Sequence, residues 1–296
     1  MLTHALVQVQ RLLSLHLEVC HVNHRLRAES DSDQAFVEQQ AEHHKLACHV
    51  VRLSELPQGE NVEAWAREQR YRAFRKIMSE RSLEVLVTAH TANDAAETLL
   101  MRLLANKELT SIEEYDARRG CIRPLLGISR EQVDEYVARY ALPFVEDISN
   151  QDTRMVRNRI RHALIPELRE RFDPSIVWIL ADRARSLAAD SHALQLVAST
   201  SAERIGEFVS GDGEWLGRCR NELSVVAPAL RWRIVQILFT PALGHTLGEG
   251  KCVAILEQLF EPRAALELGR SVTLHVSSRG VTLTSSVDGS SDEGSR

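Results

Sequence analysis

Histidine, acidic and amide side chains are concentrated in one segment, Thr88-Ala89-His90-Thr91-Ala92-Asn93-Asp94-Ala95-Ala96-Glu97-Thr98. The apolar residues before it predict a strand, and the residues after it have the spacing of a helix. Asn93 or Asp94 is the predicted N-cap, so that Asp94, Glu97 and Thr98 share the first helical turn near its positive end. Ligands of α/β folds bind at the carboxyl edge of the sheet, where this segment is expected. A capped and solvated first turn without a ligand explains the same pattern.

A second group of residues suited to chemistry is basic. Arginines recur at three- and four-residue spacing on one predicted helix face, at Arg154, Arg157 and Arg161. Arg159 lies off that face. Arginine presents a rigid fork of donors that matches phosphate, so this face is a candidate phosphate-binding surface. The alternative is a solvated charge stripe that Asp147 and Asp152 neutralise.

The elements that must position these residues alternate between strand and helix, which predicts a doubly wound parallel sheet. The predicted strands are Leu17–Val22, Cys48–Leu53 and Leu83–Val87, and the predicted helices are Met1–Leu15, Ser32–Leu46, Asn61–Arg81 and one that begins at Asn93. The chain opens on a helix with no strand before it. Since the first strand–helix turn of such folds commonly carries phosphate-binding glycines, this turn is expected upstream of Met1.

The rest of the chain is predicted to be mostly helical. Before the arginine helix, a polar loop is predicted over Asn106–Arg119, extended pieces over Cys121–Leu126 and Leu142–Asp147, and a turn over Ser149–Asp152. Between the two extended pieces, a helix capped by Ser129 is predicted over Ser129–Tyr140. The arginine helix ends at Pro166, and later helices cover Pro174–Phe208, Ala227–Leu238 and Gly250–Phe260, followed by a small hairpin from strands at Leu266–Leu268, Val272–Val276 and Val281–Leu283. The predicted domains are 1–172 and 173–284, with a disordered tail over 285–296.

Composition excludes several classes of protein. The chain has 296 residues, of which 44% are hydrophobic, and a net charge of -5, so no bulk basic field favours nucleic acid and any RNA contact must be local. Its five cysteines form no C-x-x-C pair, which argues against a disulfide framework or a zinc site and fits a reducing cytosol. No apolar run is long enough to predict a membrane-spanning helix.

Four stretches together resemble the tRNA(Ile)-lysidine synthases of the N-type ATP pyrophosphatase (PP-loop) superfamily. They are His21–Arg27, Asn61–Arg67 with Arg70 and Tyr71, Thr88–Thr98, and Glu146–Arg161, in matching order over roughly residues 16–170. Single motifs of this kind are modest signals, and their common register makes the resemblance specific. It implies a Rossmann-like fold of the adenine nucleotide alpha hydrolase type, whose first strand is missing here, followed by a mostly helical second domain.

The resemblance also implies a reaction. ATP activates C2 of the wobble cytidine of tRNA(Ile) as an adenylate, and the amine of free L-lysine displaces AMP to leave lysidine. Mg²⁺ is expected on the phosphates of ATP, and no side chain is assigned as a metal ligand. The implied protein is a cytoplasmic ligase without membrane contact, with a homodimer as its candidate assembly.

Roles for particular residues follow from the resemblance. Asp94 and Glu97 match the acidic pair that holds the lysine ammonium, and one of them could help to remove a proton from the amine. Arg157 matches an arginine near the reacting centre, where it could steady phosphate charge. Further substrate-binding candidates are His90, Arg67, Arg70, Arg154, Arg159 and Arg161. The candidates for lining the adenosine of ATP are Val22, Asn23 and His24.

The sequence departs from the family pattern in ways that leave alternatives open. Thr91 and Asn93 replace a histidine and an aspartate, Ala95 replaces a glutamine, and no Ser-Gly-Gly-x-Asp-Ser phosphate loop occurs in residues 1–296. One hypothesis is a ligase whose N-terminus was lost through a misplaced start. Others are a truncated paralogue that binds tRNA or a partner without catalysis, and another superfamily enzyme such as a tRNA thiolase, which the lack of a C-x-x-C pair disfavours.

Overall fold

A computed structural model describes residues 1–25, 29–53, 62–105, 111–117, 119–145, 155–262, 264–269 and 272–285, without the side chains of residues 62–64. The chain divides into two compact units, Met1–Ala188 and Ala189–Arg296. The predicted tail over 285–296 falls outside this description except for Ser285, which ends a strand.

The first unit is built from alternating strands and helices, as the sequence predicts. Its strands are β1 (Glu18–Asn23), β2 (Ala47–Arg52), β3 (Leu86–Val87), β4 (Tyr115–Asp116) and β5 (Cys121–Ile122). Its helices are α1 (Leu2–Val9), α2 (Ser30–His43), α3 (Val62–Glu80), α4 (Ala92–Leu104), α5 (Arg130–Arg139), α6 (Val156–Arg159) and α7 (Ile165–Arg171), followed by the long α8 (Ile176–Ile205).

The strands confirm the predicted parallel α/β class. β1 pairs with β2 in parallel, from Glu18 opposite Ala47 onward, and β3 pairs with β5 in parallel, with Leu86 opposite Cys121. The prediction of a polar loop over Asn106–Arg119 was wrong in one respect, because β4 lies within it and pairs antiparallel with β5. A two-residue strand is too short to show an alternating pattern.

Several helix boundaries differ from the predicted ones. For example, α1 ends at Val9 and not at Leu15, and the helix predicted to end at Leu238 continues to Leu243. The N-cap of α4 is Thr91 rather than Asn93 or Asp94, because Asp94 occupies the third helical position and reaches back to the Thr91 backbone. The helical stretch that was predicted to end at Pro166 continues to Arg171. Proline is tolerated there because it lies in the first turn of α7, after a π-helical turn over Ile160–Leu164. The predicted Ser129 cap of α5 is confirmed.

A compact apolar core sits behind α4 in the first unit. Ala92, Ala96 and Leu99 of α4 pack with Ile160 and with the first part of α8, which contributes Val177, Ala181 and Ala184. The first part of α8 belongs to the first unit because it packs in this core. The predicted domain limits at 172 and 284 stay a prediction.

The second unit is a helical layer with a small antiparallel sheet. Its helices are the end of α8, α9 (Gly213–Val225), α10 (Pro228–Leu243) and α11 (Glu249–Phe260), and its strands are β6 (Leu266–Gly269), β7 (Val272–Ser277) and β8 (Gly280–Ser285), paired in that order. Trp215, Phe239 and Leu259 are fully buried in its core. Helix α9 was not predicted, whereas the β7–β8 hairpin is where the pattern placed it.

Candidate active site

The N-terminus of α4 is fixed by a capping box at the carboxyl end of β3. The Oδ2 atom of Asp94 accepts hydrogen bonds from the backbone N–H of Thr91 at 2.8 Å and from its Oγ1 at 2.9 Å. The first of these bonds satisfies a backbone donor that the helix terminus leaves without an intrahelical partner. Since one oxygen of Asp94 holds the helix, its Oδ1 atom is directed to other partners.

Those partners are the arginines of the later helical stretch. Arg157 donates from Nη2 to Asp94 Oδ1 and from Nε to Glu97 Oε2, both at 2.7 Å. Arg161 donates from Nε to Glu97 Oε1 at 2.6 Å and from Nη2 to Glu97 Oε2 at 3.0 Å, and lies 3.5 Å from Asp94 Oδ1. Two acids of one helix and two arginines far along the chain therefore form one network, which we call the acid–arginine cluster.

The Glu97 carboxylate of this cluster is much more deeply buried than the two arginines that pair with it. The Glu97 side chain is 1% exposed, whereas each arginine is 32% exposed. A buried carboxylate needs such partners because desolvation of an unpaired charge is very costly. Hydrogen bonding and charge from Glu97 raise the pKa of Arg161 above its ordinary value. The two formal negative and two formal positive charges of the cluster compensate each other.

Local helix geometry brings both arginines to α4. Arg157 lies in α6, and Arg161 lies in the π-helical turn that follows it. The wider turn is a feature that often marks functional sites. Ile160, between the two, is buried in the core behind α4, which anchors the turn. Arg159, predicted to lie off the arginine face, is exposed, and Arg154 lies outside the described residues.

His90 follows β3 and lies among charges of both signs. Its Nδ1 atom is 2.9 Å from the hydroxyl of Thr88. Burial is the main cause that lowers the pKa of His90; Asp94 opposes this effect, and Arg123, Arg157 and Arg67 add to it. The imidazole is therefore biased toward its neutral form at neutral pH.

Arg67 of α3 lies at the same edge, and its guanidinium lies near the aromatic ring of Tyr71. Its guanidinium carbon is 5.6 Å from the centroid of Tyr71, and that of Arg119 is 4.8 Å from it. Arg119 also pairs with Asp116 at 2.7 Å, and Asp116 accepts from the buried Arg123. Sequence reasoning assigned no role to Arg123 or Asp116, and it placed Arg123 inside the predicted extended piece Cys121–Leu126.

The residues proposed for adenosine lie at the carboxyl end of β1. Val22 and Asn23 are buried, and the Asn23 amide nitrogen donates to Asp31 Oδ1 at 2.9 Å and to Gln34 Oε1 at 3.1 Å. The Asn23 side chain thus joins β1 to α2. His24 accepts at Nε2 from Arg70 at 3.3 Å. Burial, followed by the charge of Arg70, lowers the pKa of His24, so a neutral ring with a proton on Nδ1 fits this contact.

Two further properties bear on the kind of site. Among the described residues, no group of three or more histidine, cysteine, aspartate or glutamate side chains is arranged to hold a metal ion. Within the same part of the chain, none of the helices has the length and hydropathy needed to cross a bilayer.

Comparison with known proteins identifies the family. A family model described as a PP-loop domain matches residues 1–168. A tRNA(Ile)-lysidine synthase of Nostoc sp. is 33% identical over 213 residues, covering 70% of this chain and 61% of that protein. One of Synechococcus sp. is 31% identical over 242 residues, covering 78% of this chain and 71% of that protein.

A solved structure supports the fold independently. The U34-tRNA thiolase NcsA from Methanococcus maripaludis, with its [4Fe-4S] cluster, has a TM-score of 0.51 over 62% of this chain and 68% of that chain. At 13% identity this likeness concerns the fold alone.

Several relatives are longer than the matched region. The chain spans 61% of the Nostoc protein, 56% of a Thermosynechococcus vestitus relative and 51% of a Persephonella marina relative. The match to the PP-loop model nevertheless covers more than half of the chain, and it agrees with the synthase relatives and with the α/β fold. The chain therefore belongs to the PP-loop family and, within it, to the tRNA(Ile)-lysidine synthases.

Proposed function

We propose that this protein catalyses the ATP-dependent ligation of L-lysine to C2 of the wobble cytidine of tRNA(Ile), forming lysidine. The observation that carries the proposal is the acid–arginine cluster at the carboxyl edge of a PP-loop domain. The names of the relatives supply the reaction class. The cluster supplies groups of the charge that the reaction needs.

The acidic half of the cluster suits an amine substrate. Asp94 and Glu97 lie one turn apart on α4, and their carboxylates share the same two guanidinium partners. A lysine ammonium offers three donors and can replace an arginine N–H on either carboxylate without leaving the acid unpaired. A carboxylate that holds the ammonium can also take a proton from it before the amine attacks.

The basic half of the cluster suits phosphate. Arg157 and Arg161 are partly exposed, and each uses Nε and Nη2 for the acids, so their remaining donors are available for an anion. Exchange of a guanidinium from carboxylate to phosphate keeps both groups in charge-assisted bonds. We infer that arrival of the nucleotide draws the arginines toward phosphate, and that this exposes Asp94 and Glu97 to lysine.

The remaining candidate residues lie at the end of β1 and on α3, and each group is assigned to a different substrate. Val22, Asn23 and His24 at the end of β1 are proposed to line the adenosine of ATP. Arg67 and Arg70 on α3, with the exposed Arg159, are proposed to contact tRNA, since guanidinium groups on one edge provide the local basic surface that RNA requires. Arg154 is proposed for the same surface. Mg²⁺ is proposed to bind the phosphates of ATP and not a cage of side chains.

Mass spectrometry of the wobble nucleoside tests the proposal. The protein is incubated with tRNA(Ile), ATP, Mg²⁺ and lysine, alongside reactions that each lack one component. We expect a lysine-dependent mass increase at the wobble cytidine and release of AMP only in the complete reaction. ATP consumption that is independent of lysine and tRNA would contradict it.

A second arm concerns the phosphate loop. Residues 1–296 contain no Ser-Gly-Gly-x-Asp-Ser run, so we expect the ATP turnover of the complete reaction to be slow. Robust turnover by residues 1–296 would mean that another segment holds the phosphates. Cytoplasmic location and homodimeric assembly belong to the proposal and are checked by cell fractionation and sedimentation velocity.

A further inference from the structure

Arg123 lies at the same edge of the sheet as His90, although the two are well separated in the sequence. It directly follows β5, whose parallel partner β3 leads into the Thr88–His90 turn. The backbone N–H of Thr88 donates to the carbonyl of Ile122 at 3.1 Å, and the Thr88 hydroxyl is 2.9 Å from His90 Nδ1. Arg123 is thus attached through one backbone bond to the turn that carries His90.

The guanidinium of Arg123 is deeply buried and only partly satisfied by hydrogen bonds. Its side chain is 4% exposed, and it donates from Nη1 to the carbonyl of Glu113 at 2.7 Å and from Nη2 to Asp116 Oδ2 at 3.4 Å. Its Nε atom is buried and has no hydrogen-bond partner among the described residues. Buried N–H groups in native proteins are nearly always satisfied, so an exception calls for a reason other than packing.

Charge balance around Arg123 leaves an excess of positive charge. Its carboxylate partner, Asp116, is shared with Arg119, which makes the shorter contact at 2.7 Å. Burial would raise the pKa of Asp116, but hydrogen bonds and charge from Arg119 and Arg123 outweigh this effect and lower it. One carboxylate therefore serves two guanidinium groups. The uncompensated charge lies in a poorly hydrated region, where salt screens it weakly.

The positive charge of Arg123 acts on His90. The charged groups that act on it are Asp94 from α4, Arg157 from α6, Arg67 from α3 and Arg123 from the end of β5. Arg157 is tied to both acids of the cluster, and Arg67 is exposed. Arg123 is the member of this set that combines permanent charge with burial, so its contribution to the edge does not depend on a surface rotamer.

We propose that Arg123 is a positioning residue: a buried permanent cation, joined to the His90 turn through the pairing of β5 with β3, that attracts a phosphate group to the edge formed by His90, Arg67 and Arg157. This inference deepens the proposed function and rests on it for the identity of the substrate. The recognised chemistry is a phosphate oxyanion, which a nucleotide or an RNA backbone can provide. Arginine suits the position because it stays protonated when buried, whereas lysine readily loses its proton.

The test follows the His90 ring by NMR in the full chain, assigned with a His90→Gln variant. In Arg123→Met we expect the titration midpoint of His90 to rise. The inorganic pyrophosphate concentration that half-saturates the shift of its resonance should increase about tenfold. Arg185→Met is the matched control, because Arg185 is a surface arginine on α8 paired with Asp182. It should change neither quantity.

A single-stranded RNA oligonucleotide forms the second arm. Perturbation of His90 by pyrophosphate alone assigns the nucleotide as the source of the phosphate, and perturbation by RNA alone assigns the tRNA backbone. If neither probe perturbs His90 in the unmodified protein, or if Arg123→Met behaves like Arg185→Met, the proposal is overturned.

Two further variants guard against failure of Arg123→Met to fold. Arg123→Lys should restore part of the His90 shift, and Asp116→Asn should lower the His90 midpoint and tighten pyrophosphate binding by leaving both guanidiniums uncompensated. A rise of the midpoint in Asp116→Asn contradicts the proposal. None of these measurements uses lysine or tRNA(Ile), so absence of lysidine formation would refute the proposed function and leave the inference about Arg123 standing.

Discussion

Arg161 and Glu97 form a two-bond pair across 64 positions of sequence, with Nε to Oε1 at 2.6 Å and Nη2 to Oε2 at 3.0 Å. Glu97 is almost completely buried, and Arg157 donates to the same carboxylate. The pair joins α4 to the π-helical turn and fixes one side of the site. It therefore has a structural role that is measurable separately from any role in catalysis.

We expect Glu97→Ala to lower the free energy of unfolding of the first unit by about 3 kcal/mol, because it leaves two partly buried guanidiniums with one carboxylate. Glu131→Ala is the matched control, since Glu131 pairs with Arg169 at 2.7 Å on the surface and should cost under about 1 kcal/mol. Hydrogen exchange of α4 amides measures the difference. Equal effects of the two substitutions would show that burial adds nothing to the Glu97 contacts.

Asp94→Asn should reduce lysidine formation by about 100-fold or more, because it removes the charge that holds and deprotonates the amine. Asparagine keeps an acceptor for the Thr91 cap, but its amide N–H₂ then faces the Arg157 donor whose hydrogen bond Oδ1 accepts in the original protein. We therefore expect a loss of stability of about 1 to 2 kcal/mol. Rates are measured by mass spectrometry of the wobble nucleoside, with Asp134→Asn, an exposed partner of Arg130, as the control. Wild-type activity in Asp94→Ala would remove Asp94 from the proposed mechanism.

Gly280→Ala should destabilise the second unit by about 2 kcal/mol or more. Alanine at this position would have an unfavourable positive φ, and its Cβ would clash with a neighbouring residue. Gly280 has φ of +136°, and a Cβ there would lie 2.6 Å from the carbonyl carbon of Gly211. A Cβ at Gly217, inside α9, would meet no atom of the described residues within 4 Å beyond its own helix backbone, so Gly217→Ala should be neutral or stabilising. Denaturation followed by the fluorescence of buried Trp215 compares them. A harmless Gly280→Ala would contradict the close approach.

Acid should destabilise the first unit through Glu18. Hydrogen bonds from Arg81 and His16, with a further bond from His49, lower the pKa of Glu18 from 4.5 to about 2. A carboxyl whose pKa is depressed by folding stabilises the protein above its unfolded pKa and loses that contribution as pH falls through the folded one. The free energy of unfolding should therefore fall between pH 4.5 and about 2.

Glu18→Gln should flatten that part of the stability profile, whereas Glu80→Gln, which removes an exposed carboxyl paired with Lys76, should leave its shape unchanged. The measurement is chemical denaturation at a series of pH values. A Glu18→Gln profile parallel to the original would assign the acid sensitivity to other groups.

The sequence was sufficient to predict the strand–helix alternation, the Ser129 cap and the β7–β8 hairpin, because each rests on local periodicity or turn chemistry. It also placed Asp94 and Glu97 on one turn and Arg157 and Arg161 on one face. The meeting of these two groups followed only from family resemblance, since contacts between residues so far apart in sequence leave no trace in local pattern.

Features that depend on tertiary context were not predictable. The two-residue strand β4 exists because β5 lies beside it, and the N-cap lies at Thr91 because Asp94 completes the capping box. Arg123 appeared in the sequence as part of an extended piece. Its importance depends on burial beside Asp116 and on the parallel pairing of β3 with β5, which only the folded arrangement reveals.

The two oxygens of Asp94 have separate partners: Oδ2 belongs to Thr91, and Oδ1 belongs to Arg157. An incoming cation can therefore take over Oδ1 while the other oxygen keeps the carboxylate plane oriented. Asp94 can therefore exchange one cation for another at Oδ1 without unwinding α4. Its carboxylate is already oriented before any substrate arrives.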